Sequence, residues 1–182
     1  MSEQIFAPEE MVFTQDEKNL ALKELENARL AHQRYLIKQQ DEDWNEAIEG
    51  YINAAKHNPE IPEVYYRLAF LMWEKGEINV DAAIAQCKMA LDCSPESANA
   101  YIYKGYFDKL ADNYLDAETE FKKAIQLTGL KSARPRILLS LAILRKMGQE
   151  RTTFKDILNF VYYFISGSIM LSYDIPSLKI LT

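Results

Sequence analysis

A repeat of 34 to 36 residues through the middle of the chain limits its fold more than any other feature. From Ala100 to Gly129 the sequence reads as two amphipathic helices. Tyr101, Gly105 and Leu110 mark the first, and Ala117, Phe121 and Ala124 mark the second, with a join at 111–113. Glu63 to Pro95 follows the same plan, with Tyr65, Leu68, Ala69 and Met72, then Ala83, Cys87 and Ala90. Tyr65 to Tyr101 spans 36 positions and Ala83 to Ala117 spans 34; the difference falls in the turn at 76–81, where an insertion costs little. One unit earlier, Ala47, Tyr51, Ala54 and Pro59 form a third second helix, with Ala47 standing 36 positions before Ala83. One such pair cannot bury its apolar stripe alone, so at least three must stack into a continuous core.

The residue types suit that stacking. Ala69, Gly105, Ala83 and Ala117 let antiparallel helices approach closely, while aromatic and large residues fill the space between pairs. Pro59 and Pro95 fall just past second helices, where proline stops continuation. On these residues, together with Met72, Gly76 and Tyr114, the chain resembles the tetratricopeptide repeat family of 34-residue helix–turn–helix units. It departs from that pattern at Lys104, where the family favours Leu, at Asp108, where it favours an aromatic residue, and at Gly129, which replaces the terminal Pro. Ala31, Arg34, Tyr35 and Lys38 also depart from the family's first-helix pattern. The resemblance implies an all-α, right-handed superhelical solenoid of three to four antiparallel helix pairs, clearest from Asp43 to Gly129. A fourth unit would begin within 136–148.

Three segments follow: a loose stretch at 1–13, the repeat domain at 14–148 and an apolar segment at 149–182. Thr14 to Glu17 matches a capping box and opens a long helix on which Leu22, Leu25, Leu30 and Leu36 recur; it serves as the first helix of the first unit. The end of the chain differs in kind. Residues 1–130 carry 13 basic and 24 acidic side chains, while 131–182 carry 8 and 3, and the seventeen residues Ile157 to Tyr173 have no formal charge. That run fits closing helices broken at Gly167 and Pro176, a short membrane anchor preceded by Arg145, Lys146, Arg151 and Lys155, or a homodimer surface. Met1 to Glu17 shows no secretory signal, so the expected location is the cytoplasm, with membrane association on that side if the anchor reading holds.

A formal net charge of −6 argues against nucleic acid as the partner, because phosphate binding needs a basic surface. No catalytic constellation appears: HExxH, CxxC, GxSxG and a glycine-rich phosphate loop are all missing. His32 and His57 read as surface residues, and Cys87 and Cys93 as structural. Asp41, Glu42 and Asp43 lack the spacing of a calcium loop and instead start a helix, where acidic residues favour the positive end of the dipole. No enzyme, metal or cofactor is expected; beside a protein-binding scaffold, the alternatives are a membrane-tethered assembly factor or the regulatory domain of an enzyme complex.

The family resemblance implies a concave groove lined by first helices that holds a peptide or partner helix. Carried over, the lining residues are Tyr66, Arg67, Phe70 and Trp73 in one unit and Ile102, Tyr103, Tyr106 and Lys109 in the next, with His32, Gln33 and Leu36 as earlier counterparts. An open aromatic surface of this kind would mark an interface, and the alternative is that these aromatics pack against the C-terminal segment or the N-terminal helix of the same chain. Arg67 and Lys109 would bias it towards acidic segments. The family's clamp for a terminal carboxylate has His32, Leu36, Asn99 and Tyr103 at its positions and is not expected here.

Overall fold

The computed structural model describes residues 13–129, 132–149 and 154–171. They form eight helices: α1 (Gln15–Lys38), α2 (Asp41–His57), α3 (Pro62–Glu74), α4 (Val80–Cys93), α5 (Ala98–Leu110), α6 (Tyr114–Thr128), α7 (Arg134–Gln149) and α8 (Phe154–Leu171). Each odd-numbered helix packs on the even-numbered one that follows, and each pair packs on the next. The first helices also meet across pairs, α3 against α5 and α5 against α7, so they lie side by side along one surface.

Local chemistry sets the boundaries. Thr14 accepts from the backbone N–H of Glu17, and the Glu17 carboxylate accepts in return, closing the capping box at the start of α1. Asn79 and Ser97 cap α4 and α5 through their side-chain oxygens. α2 and α4 end at His57 and Cys93, two residues before Pro59 and Pro95. At the end of α6, Gly129 takes φ 58° and ψ −132°, a conformation open chiefly to glycine; this explains why a glycine can replace the terminal proline there.

The core is one column of three linked clusters. The first joins α1, α2 and α3 through Leu25, Tyr35, Trp44, Tyr51 and Leu71; the second joins α3, α4 and α5 through Phe70, Cys87 and Phe107; the third joins α5, α6 and α7 through Ile102, Phe121 and Leu139. Tyr65 borders the first two clusters, and its hydroxyl donates to the Pro59 carbonyl at 2.8 Å.

Several expectations need correction. On α1 the leucines do not form the inner stripe: Leu22 and Leu30 are exposed, Leu36 is half-buried, and the packed face is Ala21, Leu25, Ala28, Ala31 and Tyr35. Small residues win because α2 comes very close; a Cβ added at Gly50 would lie 2.9 Å from the Ala28 Cβ. Gly167 does not break the C-terminal helix. α8 runs through it, and the missing side chain lets α8 seat against Ile137, whose Cγ1 would be 2.7 Å from an added Cβ. α8 therefore completes a fourth pair with α7, and no helix among the described residues is long and apolar enough to cross a membrane. All but the last residue of the loose stretch expected over 1–13, and the break at Pro176, lie outside the described residues.

Candidate partner-binding groove

The eight residues expected to line an open groove do come together on α3 and α5, but they divide by exposure. Tyr66, Phe70, Ile102 and Tyr103 are buried, whereas Arg67, Trp73, Tyr106 and Lys109 are partly accessible. The expectation of an open surface at the first four is overturned: α3 and α5 approach closely enough for the rings of Tyr66, Phe70 and Tyr103 to interlock, and Ile102 packs into the third core cluster with Phe121 and Leu139. Tyr66 stacks on Tyr103 with centroids 4.9 Å apart, and Phe70 meets Tyr103 edge-on at 5.8 Å. Burial raises the Tyr66 phenol to about 12. The partly open rim begins one turn later along the helices, where Trp73 meets Tyr106 edge-on at 5.8 Å and also touches Phe107 at 5.6 Å.

His32 is not a surface residue. It is 1% exposed, its Nδ1 lies 3.2 Å from the Tyr51 hydroxyl, and its ring stacks towards Phe70. Burial, helped by the nearby positive charge of Arg67, lowers its pKa to about 3, so the imidazole is neutral at physiological pH. On the same helix Gln33 is exposed.

Arg67 is engaged within the fold. Its Nε donates to Glu63 Oε1 at 3.2 Å, and Glu63 also accepts from Arg29 on α1. Burial alone would raise the Glu63 carboxyl, but the two guanidiniums outweigh it and hold it below its ordinary value. This Arg–Glu–Arg group ties α1 to α3 and neutralises much of the charge at that end of the groove.

At the α5–α7 end the pattern reverses. Lys109 sits over the Tyr106 ring at 5.2 Å, and Arg134 sits over the Tyr103 ring at 5.0 Å. Among the described residues, no carboxylate forms an ion pair with Lys109, Arg134 or Arg145. Sequence reasoning missed the contribution of α7. The signal was present in the spacing, since Trp73, Lys109 and Arg145 follow one another at intervals of 36 and occupy matching positions on α3, α5 and α7.

Solved structures compare closely with this arrangement. The chain is similar to the Arabidopsis OM64 TPR domain, with 19% identity and a TM-score of 0.57 over 74% of this chain and 99% of that one. It is also similar to MamA, with 19% identity and a TM-score of 0.61 over 88% and 83%. The chain adopts the tetratricopeptide repeat fold. A third structure, the first TPR of Spaghetti (RPAP3) bound to the HSP90 peptide SRMEEVD, matches with 19% identity and a TM-score of 0.55 over 72% and 93%. No family model matches the sequence, and no curated protein matches it. Within the TPR frame the departures at Lys104 and Asp108 have a structural use. Lys104 reaches Asp108 at 2.9 Å and Glu120 at 2.7 Å, a half-buried ionic bond between α5 and α6. Cys87 is packed in the core, where burial pushes its thiol up, and no group of three or more His, Cys, Asp or Glu among the described residues could hold a metal.

Proposed function

We propose that this protein is a non-catalytic scaffold whose first helices bind a segment of a partner protein, with Trp73 and Tyr106 as its accessible aromatic anchors. The observation that carries this reading is their position. Both stand on the shared surface of α3 and α5, touch each other, and remain partly open while the rings behind them are buried. A rigid aromatic rim backed by a packed core supplies desolvated contact area with little ordering left to do on binding. The RPAP3 domain of the same fold, solved with a bound peptide, supports a peptide as the occupant. Arg67 supports the groove by holding Glu63 rather than by meeting the ligand.

Affinity capture with the full chain tests the proposal. Replacing Trp73 and Tyr106 with Ala removes partner capture while circular dichroism shows unchanged helix content; undiminished capture by the folded variant overturns it. Tyr106→Gln alone, which keeps Trp73 in place, gives a partial loss.

A second reading, self-association, is favoured by the outer side of α8. Leu158, Val161, Tyr162 and Ile165 recur at helical spacing, and Tyr162 is 60% exposed. Sedimentation velocity shows a concentration-dependent dimer that Tyr162→Glu abolishes if this side pairs with a second copy, and a monomer throughout if it does not.

A further inference from the structure

The inner surface carries charge unevenly. Towards α1 and α3, Arg29 and Arg67 share Glu63, and Lys75 binds Asp41. Towards α5 and α7, Lys109 and Arg145 occupy matching positions one repeat apart on touching helices, with the Tyr106 ring beneath the Lys109 ammonium. Arg134 adds a third cation over Tyr103, and its Nε is buried without a hydrogen-bond partner in the protein. Of the carboxylates nearby, Asp112 accepts from the Tyr114 hydroxyl at 2.5 Å, and among the described residues Glu74, whose charge acts on Tyr106, forms no ion pair with Lys109 or Arg145. Two cations set side by side on a chain of net charge −6 repel each other, and the partial burial of Lys109 adds to the cost. Burial first, then the charge of Arg145, lowers the pKa of Lys109 below the ordinary lysine value.

From this juxtaposition we infer that Lys109 and Arg145 form a subsite for an acidic side chain of the bound segment, next to the aromatic anchors Trp73 and Tyr106. The inference rests on the groove reading above and adds the chemistry of the partner: an apolar residue over Trp73 and Tyr106, followed by Asp or Glu between Lys109 and Arg145. It also separates this subsite from one for a chain terminus. Asn99 and Tyr103 stand where a terminal-carboxylate clamp would need cations, so the recognised carboxylate belongs to a side chain. A carboxylate in this place would relieve the repulsion between the two cations and gain charge-assisted hydrogen bonds.

Fluorescence anisotropy with N-acetylated, C-amidated dodecapeptides of alternating Leu and Glu, with matched Leu/Gln and Leu/Lys controls, tests this on the full chain. The Glu peptide binds about tenfold or more tighter than the Gln peptide, and a free C-terminal acid brings no further gain. Lys109→Glu with Arg145→Glu reverses the order, so that the Lys peptide binds best; both positions are accessible, and the helix content should not change. Equal binding of the Glu and Gln peptides, no binding of either, or an order unmoved by the reversal overturns the subsite. The groove reading fails separately. A captured partner lost on Trp73→Ala/Tyr106→Ala but retained by the charge-reversed variant leaves the groove standing without the acidic subsite, whereas a partner retained by both variants removes the groove.

Discussion

His32 shows how a residue type can conceal its surroundings. Its place on α1 looks polar in the sequence, yet α3 covers it with Phe70 while Tyr51 of α2 supplies a hydroxyl. Nothing local announces this, because the covering residues lie 19 and 38 positions away. The consequence is a pH dependence. The folded-state pKa, about 3, lies below the unfolded value of roughly 6.5, so in the interval between them the unfolded chain binds the extra proton. The stabilisation from a neutral His32 is complete above the unfolded pKa and is lost as pH falls towards the folded one, at up to about 1.4 kcal/mol per pH unit. Urea unfolding at pH 7 and pH 5 checks this: His32→Phe, which keeps a ring beside Phe70, shows a smaller loss of stability between the two pH values than the natural chain. Gly50 is a second residue whose meaning lies in a neighbour. Gly50→Ala would favour helix intrinsically, but it drives a Cβ against the Ala28 side chain and backbone at 2.9 and 3.2 Å, so the expected result is a destabilisation of about 1–3 kcal/mol by thermal or urea melts.

Elements were more legible than residues where the repeat was clear. Ala83, Cys87 and Ala90, and likewise Ala117, Phe121 and Ala124, are buried as their spacing required, and the capping box at Thr14 starts α1. On α1 the recurrence of Leu22, Leu25, Leu30 and Leu36 does not mark the packed face, because the contact with α2 is set by how closely two backbones can approach at Ala28 and Gly50. α5 shows another exchange. With Gly105 beneath Phe121, the helix lies so close to α6 that Lys104, odd for the family, can reach both Asp108 on its own helix and Glu120 on α6. Burial opposes the charge on Lys104, but the bonds to Glu120 and Asp108 outweigh it and raise its pKa. Lys104→Met would leave two carboxylates facing each other in a half-buried site and is expected to lower stability by about 3 kcal/mol. Adding Asp108→Leu and Glu120→Met should recover most of that loss, because a well-packed apolar contact can replace an ionic one. Chemical denaturation of the single and triple variants measures both effects; equal losses would show that the ionic group contributes more than its packing.

At the scale of the whole molecule, the fold follows from stacking and the groove follows from the fold. Four helix pairs place α3, α5 and α7 side by side, and this brings Trp73, Lys109 and Arg145, each separated by 36 residues, onto one surface. The sequence pattern was enough to put Tyr66, Phe70, Ile102 and Tyr103 on these helices but not to show that the three rings seal against one another while Ile102 enters the core with α6 and α7, since the closeness of neighbouring pairs depends on every small residue along both faces. The same limit applies at the C-terminal end, where the uncharged run reads as an anchor, a dimer surface or a closing helix; α8 packs on α7 on one side and leaves Leu158, Val161, Tyr162 and Ile165 exposed on the other. What remains open on the inner side is a narrower and more charged surface than the aromatic pattern implied. Site-specific photocrosslinking tests most directly whether that surface holds the partner. With a benzoylphenylalanine at position 106 on α5 the full chain should crosslink to its bound partner, while the same group at position 89, exposed on the second helix α4, should not. Crosslinks from position 89 with none from position 106 would contradict the account.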